Sequence, residues 1–235
     1  MKTNIQATQK RKRKGFTLVE LLVVIAIIAS LAGLSYGPIM KHLDSAAKTE
    51  AIANGKSLHS ALLGFMGQND NTFPNDDTGL ATTAEDCLQQ LVDGGFVGDE
   101  KYFWNKANGK GDICSINQPD NDGTLEAGEN AWGFTKNLDP GSDGSAPILY
   151  DSCTSASANT ASFTTLTWKG QAVIVRIDGS CKSLGIDYTG PPVGDDGAGK
   201  TGSVMEKRGS GGQQADIFAI LPSYAVPLAT TSGGN

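Results

Sequence analysis

The sequence has 235 residues, which is enough for one membrane segment and one soluble domain. Its formal net charge of −6 is unevenly distributed. Residues 1–15 contain six Lys and Arg and no acid, so residues 16–235 carry a formal charge of −12. An acidic balance of this size argues against electrostatic binding of the main domain to nucleic acid or to anionic lipid.

A basic block, Lys10 to Lys14, directly precedes a long apolar run. Phe16 to Leu34 are 19 residues, and only Glu20 among them is charged. As a helix this run would extend roughly 28 Å, close to the hydrocarbon thickness of a bilayer. The alternative, a buried core helix, rarely lacks a polar face over such a length. Because Lys and Arg remain cytoplasmic, we expect the N-terminus inside the cell and the chain after Leu34 outside.

Glu20 is the unusual residue of the apolar run. A carboxylate near the middle of a membrane helix costs about 2.5–3.5 kcal/mol on insertion scales. The apolar run contains no Lys, Arg or His to pair with it, so a partner must come from elsewhere. An ordinary secretory signal, with its cleavage site after the apolar run, would leave Glu20 unexplained.

The segment Gly15-Phe16-Thr17-Leu18-Val19-Glu20 resembles the processing site of type IV pilins and type II secretion pseudopilins. The resemblance implies that a prepilin peptidase cuts between Gly15 and Phe16. It also implies that Phe16 is then N-methylated. In that family the acid at the position of Glu20 pairs with the N-terminal ammonium of a neighbouring subunit in a helical filament.

We expect an α+β fold, in which one long N-terminal helix packs on a small antiparallel-sheet head. Pro38 lacks a backbone N–H and is expected to kink or locally melt the helix. We predict a cleaved leader at 1–15 and a transmembrane segment at 16–38. An amphipathic continuation of the helix follows at 39–67. The exported head, with Gly-rich C-terminal loops, is predicted at 68–235.

Within the head the sequence predicts one short helix and several strands. Thr83 is the expected N-cap of the helix, which Gly94 and Gly95 end. The clearest strand is 171–177, followed by Asp178-Gly179 in a predicted type I′ hairpin turn. Further short strands are expected at 148–150 and, as an edge strand interrupted by Pro222, within 216–228.

An acidic loop resembles a calcium-binding loop. Gln118-x-Asp120-x-Asp122-Gly123, with Glu129 at the twelfth position, approaches the EF-hand pattern of oxygen ligands but has Gln in the first position. We predict a calcium site from Asp120, Asp122 and Glu129, completed by Gln118 or a backbone carbonyl. An Asx/Gly turn without metal is the alternative.

Asp139 and Asp143 form a rival acidic loop. The family resemblance favours calcium, since some pseudopilin heads bind a structural calcium ion in a late acidic loop. No cofactor other than this structural calcium is expected.

The four cysteines all follow the membrane segment, where an exported domain forms disulfides. Three pairings are open. We predict Cys153–Cys181 and Cys87–Cys114, on the expectation that the strand before Cys153 neighbours the hairpin that contains Cys181.

Neither the phosphate-loop match nor the two histidines of the chain predict an enzyme. Gly194 to Thr201 matches a phosphate-binding loop letter for letter, but its flanks predict neither the strand nor the helix that such a loop requires. Both histidines, His42 and His59, lie on the first helix, so no catalytic arrangement can be assembled from them. We expect a protein that is not an enzyme.

The predicted function is therefore filament assembly. We favour a pseudopilin-like subunit of a type II secretion system, located in the bacterial inner membrane and then in a periplasmic or surface filament. Expected partners are other pilin-like subunits, the prepilin peptidase, the inner-membrane assembly machinery and the membrane, but no nucleic acid. The alternatives are a type IV pilin of a surface fibre and a membrane-anchored ligand-binding protein.

Overall fold

The computed structural model describes residues 16–75, 82–105, 119–157, 160–188, 201–208, 213–223 and 225–230. The structure divides into two units, one ending at Leu43 and the other beginning at Asp44. Each unit is described by itself below.

Helix α1 is assigned from Leu18 to Met66. It begins two residues later than predicted, because Thr17 is the residue that caps it. The helix is assigned without interruption at Pro38, so the local melting predicted there is not observed. A proline inside a helix lacks the N–H for one backbone hydrogen bond, and this loss does not end the helix here.

The part of α1 within the second unit has one buried face. Ala51, Leu58 and Leu62 are buried at helical spacing, as the amphipathic pattern predicted. Leu43 is 53% exposed and belongs to the first unit. The buried face rests directly on the sheet, since a Cβ placed on Gly55 would lie 2.8 Å from a Val175 methyl group.

Helix α2, Ala84–Asp93, confirms the short helix predicted in the head. The Thr83 side chain accepts a hydrogen bond from the Asp86 backbone N–H, and the Asp86 carboxylate accepts from the Thr83 N–H. This reciprocal capping box satisfies two N–H groups that a helix start otherwise leaves open. Gly95, with a φ of 69°, follows the end of the helix. A short 3₁₀ helix, η1, follows at Glu100–Phe103.

Nine strands in the described residues form one sheet, in which neighbouring strands pair antiparallel. The spatial order is β3-β4-β7-β6-β5-β2-β1-β9, and β8 pairs with β7. The strands are β1 Trp132–Lys136, β2 Pro147–Asp151, β3 Cys153–Ser157, β4 Thr160–Thr164, β5 Gln171–Arg176, β6 Cys181–Asp187, β7 Thr201–Arg208, β8 Gln213–Asp216 and β9 Val226–Leu228.

The hairpin between β5 and β6 is present, but its turn differs from the prediction. A type I′ turn requires a positive φ at both central residues. Only Gly179 has one, at 79°. The Gly179 N–H donates to the Arg176 carbonyl and the Arg176 N–H donates to the Ser180 carbonyl, which closes a three-residue loop ending in a left-handed glycine. Asp178 instead orients its carboxylate to accept from the Ser180 N–H at 2.8 Å.

The last segments that the structure describes form a 3₁₀ helix, η2 at Ile217–Ile220, and then the edge strand β9. The predicted strand over 216–228 is therefore split, and Pro222 lies between the two pieces. Strand β9 pairs with β1 at Phe134↔Leu228. Pro227 is tolerated there because an edge strand needs hydrogen bonds on one side only.

The core of the head contains an aromatic cluster of Tyr150, Phe163 and Phe218. The Tyr150 ring meets Phe163 and Phe218 edge-on, with centroids 6.0 and 5.0 Å away. The buried Tyr150 hydroxyl lies 2.9 Å from the Leu228 carbonyl and 3.0 Å from the Phe134 carbonyl. The last strand is thus tied to the centre of the sheet by a polar contact as well as by apolar packing.

Candidate functional site: an N-terminal capping box and an acidic cluster

The start of α1 is closed by Thr17 and Glu20. Glu20 Oε2 accepts hydrogen bonds from the Thr17 backbone N–H and from the Thr17 hydroxyl, both at 2.8 Å. The Thr17 hydroxyl oxygen in turn accepts from the Glu20 N–H at 3.2 Å. The sequence Thr-Leu-Val-Glu is therefore a capping box. No ion pair involves Glu20 in the described residues, and the two neutral donors of Thr17 hold one of its oxygens.

The segment that follows Glu20 is exposed on all sides. The helix from Leu18 to Tyr36 has 19 residues, is long and apolar enough to cross a membrane, and is 0% buried within the structure. Phe16, directly before the capping box, is 81% exposed. Gly15 lies outside the described residues. An apolar helix without a covering layer needs a membrane or neighbouring protein around it.

A second candidate site lies in the head, where Glu100 joins Asp120 and Asp122. One carboxylate oxygen from each of the three lies within 4.8 Å of the others. Glu100 is 2% exposed, and the two aspartates are on the surface. Two acids of the predicted calcium loop thus lie close to Glu100, an acid that the sequence did not connect with the loop.

Glu129 plays a different part from the one predicted. Its Oε2 accepts the Glu126 N–H at 3.0 Å, so the carboxylate closes a turn of its own. Burial raises the pKa of Glu129, and the charges of Asp120, Glu126 and Glu100 raise it further. Gln118 lies outside the described residues. In the rival loop Asp143 accepts from the Ser145 N–H and hydroxyl at 2.8 Å.

Comparison with known proteins finds a family match at the N-terminal site. The family described as "Prokaryotic N-terminal methylation motif" matches residues 10–36. The Type II secretion system core protein G of Aeromonas hydrophila is 33% identical over 94 residues, which cover 38% of this chain and 65% of that protein. The chain thus carries the N-terminal methylation motif and is similar to a type II secretion core protein. The protein of the same name from Pectobacterium carotovorum subsp. carotovorum is 36% identical over 69 residues, which cover 29% of this chain and 44% of that protein.

The matches therefore span less than two thirds of these pilin-like relatives. No solved structure matches the chain significantly. The pilin and pseudopilin family consists of structural subunits and not of enzymes. Its motif and the apolar helix together indicate a single-pass, membrane-anchored protein.

The predicted Cys153–Cys181 disulfide of this pilin-like chain is not formed. Cys153 pairs with Phe163 across β3 and β4, whereas Cys181 pairs with Val175 across β5 and β6. The Cys181 thiol is free and donates to the Ile52 carbonyl of α1 at 3.6 Å. Burial raises the pKa of Cys153 to about 12 and that of Cys181 to about 11.

The prediction failed because the chain passes from β2 into a separate hairpin, β3–β4, which extends the sheet on the far side of β7 and β6. The Cys87–Cys114 pairing stays a prediction, since Cys114 lies outside the described residues.

The structure also describes part of the phosphate-loop match and both histidines. Thr201, the last residue of the phosphate-loop match, begins strand β7 where a phosphate-binding loop would begin a helix. Residues 194–200 lie outside the described structure. The His59 ring is packed between α1 and the β5–β6 hairpin, with Nε2 2.9 Å from the Ile177 carbonyl. His42 is exposed.

Glu100 is the functional candidate that sequence reasoning missed. It lies twenty residues before Asp120, so no local spacing connects it with the loop. The available signal was its position in the sequence, close to the aromatic run Tyr102-Phe103-Trp104, because such a run is typical of a buried segment. A buried acid in such a segment needs a partner.

Proposed function

We propose that this chain is a structural subunit of the pseudopilus of a type II secretion system. The name that both relatives share supports a role in secretion over a role in a surface fibre, while the N-terminal motif is compatible with either assembly. A type IV pilin of a surface fibre is therefore the second candidate. On this proposal the chain inserts in the bacterial inner membrane with its leader in the cytoplasm and its head outside.

The proposed assembly chemistry begins with the cut between Gly15 and Phe16 by a prepilin peptidase. Cleavage creates a new α-amino group at Phe16, next to the capping box. N-methylation keeps this amine basic, so it remains a cation at neutral pH. The machinery in the inner membrane then adds the subunit to a filament of pilin-like chains.

The observation that carries the proposal is the state of the Glu20 carboxylate. Thr17 holds Oε2 through two hydrogen bonds, while Oε1 has no partner among the described residues. The cap thus orients the carboxylate and leaves one oxygen for a ligand from outside. Within an apolar environment a neighbour's ammonium is a suitable partner, because an unpaired charge there is costly.

Replacement of Glu20 by Gln tests this proposal. The Gln amide oxygen keeps an acceptor for Thr17 but removes the negative charge. We expect normal membrane insertion and leader removal, with filament incorporation reduced at least about tenfold because the charge pair is lost. Sedimentation of sheared filaments and cross-linking between subunits measure incorporation.

Glu50→Gln provides the matched control, since Glu50 is an exposed acid on the same helix within the second unit. It should assemble like the wild type. Equal incorporation of the Glu20→Gln chain would contradict the charge-pair role, and incorporation into a surface fibre in place of a secretion pseudopilus would favour the pilin alternative.

A further inference from the structure

We propose that Thr17 is a positioning residue for leader removal, because its cap ends α1 before the scissile bond between Gly15 and Phe16. This inference rests on the proposed function, since it explains how that bond is made accessible to the prepilin peptidase. It concerns the conformation of the chain at the cut and not the charge of Glu20, which the filament proposal uses.

The cap of α1 takes up the backbone donors that an upstream turn of helix would use. In a helix continued towards the leader, the Glu20 N–H would donate to the Phe16 carbonyl, four residues before it. In the structure this N–H donates to the Thr17 hydroxyl oxygen instead, at 3.2 Å. The Thr17 N–H, which would donate to the Arg13 carbonyl, donates to Glu20 Oε2 at 2.8 Å. Two of the hydrogen bonds that would extend α1 upstream are thus replaced.

The helical hydrogen bonds among the described residues all lie downstream of the scissile bond. The most N-terminal of them joins the Leu21 N–H to the Thr17 carbonyl at 3.2 Å, and the helix is assigned from Leu18. Phe16 precedes the helix and is 81% exposed. The leaving nitrogen of the scissile bond belongs to Phe16, so this side of the bond lies outside α1.

Hydrolysis of this bond needs a carbonyl that no helix occupies. Water adds to the Gly15 carbonyl carbon, the C–N bond to Phe16 breaks, and a proton from the water passes to the leaving nitrogen. The products are a carboxyl group at Gly15 and an amine at Phe16. During the attack the carbonyl oxygen gains negative charge and must accept hydrogen bonds from the enzyme. A helix continued upstream would occupy that oxygen with the N–H of Val19, which lies four residues after Gly15.

The sequence around the cut offers no substitute for this cap. Lys and Arg, which fill positions 10–14, are good helix formers, so Gly15 alone opposes a helical turn there. Thr17 is the single Ser, Thr, Asp or Asn between residues 9 and 29. No neighbouring side chain can therefore replace it as the N-cap. The place where α1 begins depends on one hydroxyl group.

The test compares leader removal in variants that separate the cap from the shape of Thr17. Thr17→Val keeps the branched shape but has no oxygen to accept the Glu20 N–H. Thr17→Asn and Thr17→Ser change the shape and keep a capping oxygen. Each full-length chain, held in detergent micelles, is incubated with a purified prepilin peptidase. Mass spectrometry at successive times measures the rate of cleavage.

We expect Thr17→Val to lose its leader at least about fivefold more slowly, because loss of an N-cap of ordinary strength shifts the start of a helix by roughly this factor. Thr17→Asn and Thr17→Ser should be cut within about twofold of the wild-type rate. Thr49→Val is the matched control. Thr49 lies on the same helix, and its hydroxyl donates to the Ser45 carbonyl, so its loss leaves the cap of α1 intact. This control should be cut like the wild type.

Carbon chemical shifts measure the start of the helix in the absence of the peptidase. In the uncut chain, the Cα shifts of Gly15 and Phe16 should be those of non-helical backbone in the wild type and in Thr17→Asn. They should move towards helical values in Thr17→Val. A direct contact between Thr17 and the peptidase would leave these shifts unchanged, so the measurement separates the two roles.

Cleavage of Thr17→Val at the wild-type rate overturns the positioning role and leaves the proposed function in place. Slow cleavage of both Thr17→Val and Thr17→Asn also overturns it, because the peptidase would then recognise the threonine itself. Unchanged Cα shifts in Thr17→Val have the same consequence. If the wild-type chain is not cut between Gly15 and Phe16, the proposed function fails, and the positioning role fails with it.

Discussion

The two units of this chain satisfy their apolar residues in opposite ways. Up to Leu43 the large apolar side chains are exposed, Leu18 by 86% and Leu34 by 78%. From Asp44 onward Leu58 and Leu62 of the same helix are fully buried. The second unit therefore supplies its own core, whereas the first needs a membrane or neighbouring subunits. Changes in the first unit should alter insertion and assembly, and changes in the second should alter folding.

The buried carboxylate of Asp151 offers the largest effect expected in the head. It accepts hydrogen bonds from the Val173 N–H at 2.6 Å, from the Ser152 hydroxyl at 3.2 Å and from the Trp168 indole N–H. Asp151→Ala would leave buried donors without an acceptor, at about 1–3 kcal/mol each. We expect a loss of at least about 3 kcal/mol in the free energy of unfolding.

Urea unfolding followed by tryptophan fluorescence measures this loss, because all three tryptophans lie in the second unit. Asp187→Ala is the matched control. Asp187 is exposed on β6 and should change stability by less than about 0.5 kcal/mol. Equal stability of the two variants would contradict the account of the head core.

Two glycines of α1 allow a sharper comparison of the units. A Cβ on Gly55 would lie 2.8 Å from Val175 Cγ2 and 2.9 Å from the Trp132 ring, whereas a Cβ on Gly33 meets nothing within 4 Å. Gly55→Ala should cost about 1–3 kcal/mol of overpacking, reduced by a helix-propensity gain of up to about 1 kcal/mol. A net loss of about 1 kcal/mol is expected.

Gly33→Ala should leave the urea unfolding of the head unchanged, because the Cβ that it adds meets nothing within 4 Å. If both variants unfolded like the wild type, α1 would not be seated on the sheet as described. If Gly33→Ala destabilised the head, the two units would not be energetically separate.

The elements that could be predicted from the sequence have local causes. The capping box of α2 depends on Thr83 and Asp86, which are three residues apart, and strand β5 contains an unbroken apolar run from Ala172 to Val175. The membrane segment and the N-terminal motif are local patterns as well. Local patterning was sufficient in these places because no distant contact competes with it.

The failures share a non-local cause. Strand β7 lies in a Gly-rich region and is held by pairing with β4, β6 and β8. The Cys153–Cys181 prediction required a strand order that only long-range pairing decides. Glu100 approaches Asp120 and Asp122 through the return of the chain. Spacing along the sequence carries no information on such contacts.

The central claim is that the chain is processed into a pilin-like subunit whose mature N-terminus is Phe16. Mass spectrometry of the mature protein, isolated from the membrane of a cell that has the peptidase, tests this most directly. We predict a mature chain that begins at N-methylated Phe16, together with retention of the leader in a Gly15→Val variant, whose larger side chain blocks access to the scissile bond. An intact leader in the wild type, or a mature terminus beyond the apolar helix, would contradict the account.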